Sequence, residues 1–152
     1  MTSKEIAVYQ DRVKVASLDR LPYTGTSVAL YEQELAVGGD DSKTHIYTIQ
    51  NDKLVEKHVI STRSPVSAVS YSPNGAHLAV GDNGRQVEVF ERSSWAALVQ
   101  GQWVFHTSKI TALSWSHDGT YLASGSLDEN IFIWSLANPS KRVQLKFSHK
   151  GK

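Results

Sequence analysis

Three residues of this 152-residue chain have the side-chain types of a hydrolase triad: His106, Ser124 and Asp128. An imidazole held between a carboxylate and a hydroxyl can take the hydroxyl proton and create an oxygen nucleophile. That chemistry needs the serine on an exposed, strained elbow, and Leu122-Ala123-Ser124-Gly125-Ser126 lacks the G-x-S-x-G pattern. Ser124 and Asp128 also lie only four positions apart around a turn, so the expectation is a structural role and no enzyme activity. The six histidines, at 45, 58, 77, 106, 117 and 149, show neither helical i,i+4 pairing nor a clustered ligand set, so no metal site is expected. His45 and His77 read as strand residues and His117 as a turn residue. Gly38-Gly39 and Gly81 resemble pieces of a phosphate loop without its spacing, and are better explained as strand ends where glycine relieves crowding. Trp95, Trp103 and Phe105, near Arg92 and Lys109, could stack on nucleic-acid bases, but packing between sheets fits the small net charge better. No cofactor is expected.

Composition narrows the class further. Lysine and arginine total 16 against 15 aspartates and glutamates, a net charge of +1, so no global field draws the chain to nucleic acid or an anionic membrane. With 40% hydrophobic residues it can bury a core. There is no cysteine, which removes disulfides, thiolate metal sites and cysteine nucleophiles, and a reducing compartment fits. Met1-Thr2-Ser3-Lys4-Glu5 places charge early and leads into an alternating segment, unlike a secretory signal. No stretch approaches transmembrane length, and Asn138-Pro139-Ser140 is blocked as a glycosylation sequon by its proline. These features predict a soluble, cytoplasmic chain with protein partners, and no nucleic acid, membrane or small-molecule substrate.

The elements that would position these residues emerge from self-similarity. Leu35-Ala36-Val37-Gly38-Gly39, Leu78-Ala79-Val80-Gly81-Asp82 and Leu122-Ala123-Ser124-Gly125-Ser126 start 43 and 44 residues apart. Each precedes a polar turn and an alternating strand ending in an aromatic, Tyr47, Phe90 and Trp134, at the same spacing. A period of about 40–45 residues is that of a four-stranded propeller blade. Upstream, Val66 to Tyr71 and Ile110 to Trp115 read as strands turned by Ser72-Pro73-Asn74-Gly75 and Ser116-His117-Asp118-Gly119 into hairpins. In the earliest repeat the partner strand Ser27 to Tyr31 has a connection three residues shorter, which predicts a tighter, less regular hairpin. Fourth strands are predicted over Leu54 to Ile60, Trp95 to Gln100 and Arg142 to Phe147. Ile6 to Tyr9 and Arg12 to Leu18 read as the last two strands of a preceding blade.

The fold class predicted is therefore all-β: a propeller fragment of about three and a half four-stranded antiparallel blades, with a half blade over 1–20 and blades over 21–62, 63–105 and 106–148. Closed propellers usually have about four to eight blades, so an open arc is expected, with apolar end faces that favour aggregation or pairing with another copy.

The segment from His106 to Leu136 closely resembles a WD repeat, with Ser135 where the family has its signature aspartate. The resemblance implies a hydrogen-bonded structural tetrad of His106, Ser124, Asp128 and Trp134. The matching positions in the repeat ending at Phe90 are Thr62, Val80 and Gly84, so no tetrad is expected there. In the repeat ending at Tyr47, Asp41 remains while Asp19 and Val37 replace histidine and serine.

Several phrases, among them Val37-Gly38-Gly39 with His45-Ile46-Tyr47, Tyr71-Ser72-Pro73-Asn74-Gly75-Ala76 with Leu78-Ala79-Val80, Val87-Glu88-Val89-Phe90, and Leu113-Ser114-Trp115-Ser116 with Pro139-Ser140-Lys141-Arg142-Val143, are similar to the later blades of the second propeller in the actin-interacting protein 1 family. That resemblance implies two joined propellers in the whole protein, of which this chain would cover part of one, together with actin-filament binding, promotion of cofilin-mediated filament disassembly, and a place in the cytoplasm and cytoskeleton. Loops joining fourth to first and second to third strands share one propeller face, which makes Lys43, Arg63, Arg85 and Lys109 the candidate partner-binding face for acidic actin. The alternative is a generic WD-repeat adaptor in another multiprotein complex.

Overall fold

Apolar residues alternate with polar ones in short runs bounded by Ser, Asp, Asn and Gly, and these runs form strands. The computed structural model describes residues 5–10, 13–19 and 21–146, with side chains from residue 21 onward. Among them the elements are β1 (Glu5–Gln10), β2 (Val13–Asp19), β3 (Gly25–Tyr31), β4 (Glu34–Gly39), β5 (Lys43–Gln50), β6 (Lys53–Ser61), β7 (Val66–Tyr71), β8 (His77–Asp82), β9 (Val87–Glu91), β10 (Ala97–Trp103), β11 (Ile110–Trp115), β12 (Tyr121–Ser126), β13 (Asn130–Ser135) and β14 (Arg142–Lys146). Strands β3 to β6, β7 to β10 and β11 to β14 form three antiparallel four-stranded blades in simple meander order. This is an all-β propeller fragment.

Turn chemistry sets the registers. Gly75 and Gly119 take φ of 71° and 75°, and each N–H donates to the carbonyl of the serine three residues earlier, at 2.9 Å. The side chains of Ser72 and Ser116 accept the N–H of His77 and Tyr121 at 3.0 Å, locking each hairpin mouth. In the first blade Tyr31 pairs with Glu34 across a two-residue turn with Glu32 at φ 51°. That hairpin is tighter, but its register runs unbroken from Ser27 to Tyr31, so it is no less regular than the others. Asn51 and Asp52 both take positive φ, 48° and 64°, the backbone of a two-residue hairpin turn that matches strand twist.

Two boundaries differ from the sequence reading. Trp95 takes φ 58° and donates its N–H to Glu91 at 2.7 Å, so the fourth strand of the second blade starts at Ala97. Strands β1 and β2 do pair, but one parallel bridge between Ser17 and Lys53 joins them to the outer edge of the first blade, giving the order β1-β2-β6-β5-β4-β3. The unpaired backbone groups of an edge strand offer a hairpin that partner, whereas two strands alone are marginal. Asp11, Arg12 and Phe147 lie outside the described residues.

Between blades the core is apolar. Ala36, Ile46 and Ile60 of the first blade meet Val66, Val69, Leu78, Val80 and Phe90 of the second. Ala79, Val89 and Trp103 of the second meet Ile110, Leu122, Phe132 and Trp134 of the third. The blades approach so closely that glycine is required where they touch: a Cβ on Gly81 would lie 2.5 Å from Ile110 Cγ2, and one on Gly38 would collide with Val66. The matching Gly125 has nothing nearer than 3.9 Å. Gly81→Ala should therefore destabilise the chain by about 1–3 kcal/mol through overpacking. Gly125→Ala should be neutral or slightly stabilising. Calorimetric melting of the two variants checks this, and equal effects would refute it.

A polar contact also crosses the first seam. Glu34, 2% exposed, accepts from Lys57 Nζ at 2.5 Å within its own blade, and from Tyr71 Oη at 2.8 Å and Arg92 Nε at 2.9 Å in the next. Arg92 also lies over the Tyr31 ring, 5.0 Å from its centroid.

Candidate functional site

The third blade brings His106, Ser124, Asp128 and Trp134 together. Trp134 Nε1–H donates to Ser124 Oγ at 2.8 Å, Ser124 faces His106 Nε2 at 2.8 Å, and His106 Nδ1 faces Asp128 Oδ2 at 3.0 Å. One tautomer satisfies every bond: Nδ1–H donates to the carboxylate, and Nε2 accepts the serine proton. Asp128 also accepts the backbone N–H groups of Thr107 and Asn130, both at 2.8 Å. Burial by itself would raise its carboxyl, but these N–H bonds and the imidazole outweigh it and hold the group below the ordinary carboxylate range. His106 packs edge-on against Phe132 with ring centroids 4.7 Å apart, and Trp103 stacks on Trp134 at 4.9 Å. Ser124 has no exposed surface, so its hydroxyl presents no face to a substrate; the geometry ties loop, turn and two strands together.

The other blades fill the same places differently. In the first, His45 Nε2 lies 2.9 Å from Asp41 Oδ2 and His45 Nδ1 lies 2.7 Å from Glu56 Oε1. Tyr23 stacks flat on His45, centroids 4.0 Å apart, and its hydroxyl meets that of Tyr47 at 2.6 Å. The retained aspartate therefore recruits a histidine from the third strand, four residues along, which the family spacing does not reveal. In the second blade the Thr62 hydroxyl shares its one proton between the carbonyls of Ser64 in its own loop (2.8 Å) and Ser42 in the β4–β5 turn of the first blade (3.0 Å), and Val80 occupies the serine position.

The aromatics near Arg92 and Lys109 do not form one group. Trp103 is 1% exposed within the seam of the second and third blades, Trp95 stacks on His58 of the first blade at 5.4 Å, and Phe105 lies beneath Arg142 at 3.5 Å.

The cationic positions sit at one end of the sheets. Lys43 opens β5, Arg63 lies in the β6–β7 loop, Arg85 in the β8–β9 turn, Lys109 just ahead of β11, and all are exposed. Within each blade the two kinds of loop are laced together: Thr62 N–H to Ser42 O at 2.9 Å, Asn83 N–H to Pro65 O at 2.9 Å, and Leu127 N–H to Lys109 O at 3.3 Å. Thr26 Oγ1 donates to the Val66 carbonyl at 2.5 Å, joining the starts of adjacent inner strands, so the first two blades point the same way. A left-handed residue recurs in the second turn of every blade: Ser42 (φ 62°), Arg85 (φ 75°) and Glu129 (φ 66°). The residue types share no sequence signal, because the turn demands the conformation and tolerates its strain.

The repeat pattern described as "WD domain, G-beta repeat" matches residues 54–91 and 99–135. Those two stretches carry WD repeats. Its relatives include actin-interacting protein 1 of Drosophila melanogaster, 36% identical over 96% of this chain and 24% of that protein, and its namesake in Caenorhabditis elegans, 35% identical over 96% and 24%. The 66 kDa stress protein of Physarum polycephalum is 35% identical over 99% of this chain and 25% of its own length. The chain thus spans about a quarter of the length of the relatives it matches. The solved structure of U3-55K superposes with a TM-score of 0.77 over 85% of this chain and 41% of that one, at 19% identity, a likeness of fold alone.

Proposed function

We propose that this WD-repeat chain belongs to a non-enzymatic protein-interaction scaffold that binds actin filaments and assists their cofilin-mediated disassembly in the cytoplasm and cytoskeleton. The observation that carries the reading is the 35–36% identity, spread over nearly the whole chain, to two proteins named actin-interacting protein 1. The shared loop end supports it, because Lys43, Arg63, Arg85 and Lys109 stand exposed where an acidic surface could approach. Such rim charges act mainly on association rate and salt dependence.

Cosedimentation with actin filaments, with and without cofilin, tests the proposal. Filaments should carry the chain into the pellet, and reversing Lys43, Arg63, Arg85 and Lys109 together to glutamate should weaken binding at least about tenfold at low salt, since each rim contact is worth up to ~1 kcal/mol. Each alone should act by a few-fold. Pelleting that ignores both filaments and cofilin would leave the generic adaptor reading in its place.

A further inference from the structure

We propose that the cavity at the loop end of the seam between the first two full blades, over the buried carboxylate of Glu88, receives a basic side chain, lysine or arginine, of a protein partner. The cavity measures about 400 Å³ and is lined by Thr62, Arg63, Gln86, Glu88 and Gln100, among others.

Its origin is visible in the repeat. In the third blade Ser124 pairs with Phe132, and the imidazole of His106 packs against that ring. In the second blade the matching pair is Val80 and Glu88, and the histidine position is the much shorter Thr62, turned into its own loop. The space that an imidazole fills in one blade is therefore open in the other, and a carboxylate stands where the phenyl ring would be.

Glu88 lines this space while only 3% exposed. The side chain beside it is the neutral amide of Gln100. Asp82, 1% exposed, lies two residues beyond Val80 on the same strand, so its side chain leaves the sheet on the same side as Glu88. Its Oδ1 accepts the Gln86 N–H at 2.9 Å, and its Oδ2 is buried without a hydrogen-bond partner among the described residues. Neither carboxylate forms an ion pair among the described residues. Burial pushes both carboxyls above their ordinary range, and Arg63 opposes this only from a distance. Buried charge is rarely left without a counter-charge. A carboxylate lining an open cavity, with a second buried on the same side of the sheet, calls for a cation delivered from outside, and a long basic side chain can bring both a charge and several N–H donors. Among the described residues no three ligating side chains group to hold a metal ion, which favours an organic cation.

This goes beyond the filament reading, because the cavity selects positive charge where the surrounding face selects negative, and its test contains no actin. The intact chain is titrated with N-acetyl-arginine methylamide and N-acetyl-lysine methylamide, with the neutral citrulline analogue as control, following the backbone amide signals of Gln86, Gln100 and Gly101. Saturable shifts with both cationic probes and none with citrulline are expected. Glu88→Gln should weaken binding at least about tenfold, the loss expected for one charge-assisted hydrogen bond. Arg63→Ala alters an exposed residue, leaves the buried seam intact, and should tighten binding about threefold by removing one screened like charge. Equal shifts with citrulline, no saturable shift, or an affinity unchanged by Arg63→Ala would overturn the proposal.

Discussion

Ser124→Ala is expected to lower the melting temperature of the chain by roughly 5–15 °C, corresponding to about 2–4 kcal/mol. The substitution removes one oxygen and leaves little void, so lost packing is a small part of the effect. Its weight comes from the groups left behind: Trp134 Nε1–H loses its acceptor and His106 Nε2 loses its donor, both at positions no more than 1% exposed. Each stranded buried group costs about 1–3 kcal/mol. His106→Ala should cost at least as much, since it also opens a void against Phe132 and removes a donor to Asp128. The two losses share one bond, so the double variant should be less destabilised than the sum. Differential scanning calorimetry of the cycle decides the matter, and strictly additive losses would show that the four side chains do not act as one network.

Glu34→Ala is expected to destabilise the chain by about 3 kcal/mol and to loosen the first seam more than the second. Removing one partner of a buried ion pair typically costs about 3–5 kcal/mol because the remaining charge is stranded. Here the lower end applies, because the side chains of Lys57 and Arg92 are 43% and 27% exposed and can recover water. The Tyr71 hydroxyl loses its acceptor as well. Burial alone would raise the Glu34 carboxyl, yet the bonds from Lys57, Arg92 and Tyr71 outweigh it and hold the group below its ordinary value of 4.5. A carboxyl depressed in the folded state contributes stability that is present above its unfolded value and lost as pH falls through the folded one. Unfolding followed from pH 7 downward should therefore show the native chain losing its advantage over Glu34→Gln below about pH 4.5. A constant gap between the two across that range would refute the assignment. Glu88 and Asp82 have the opposite sign: burial raises both carboxyls, so their contribution falls as pH rises from the ordinary carboxylate range through their folded values.

Much of this architecture can be read without coordinates, because it depends on neighbours along the chain. Strand alternation, the Ser-Pro-Asn-Gly and Ser-His-Asp-Gly turns, and the 43- and 44-residue spacings place three blades and most strand ends. The grouping of His106, Ser124, Asp128 and Trp134 was an expectation carried by the resemblance to a WD repeat, and all four lie in one blade, where the meander sets their offsets. The same logic misplaced the start of the second blade's outer strand, where Trp95 adopts a left-handed turn with no glycine or asparagine to announce it.

Contacts across a seam were not readable, because they depend on how one twisted sheet rotates against the next. Glu34 finds Arg92 at a separation of 58 residues, and no spacing rule connects them. The cavity over Glu88 appears only when Thr62, on the loop leading into the blade, is seen to turn away and leave the imidazole's place empty. The attachment of β1 and β2 to the outer edge of the first blade is of the same kind, since which open edge a hairpin joins is settled by what lies beside it in space. Sequence by itself determined the repeating unit, because covalent spacing and strand pairing act locally. Only the tertiary structure decided which charges are buried, paired or left waiting at the seams, because desolvation is a property of the assembled faces.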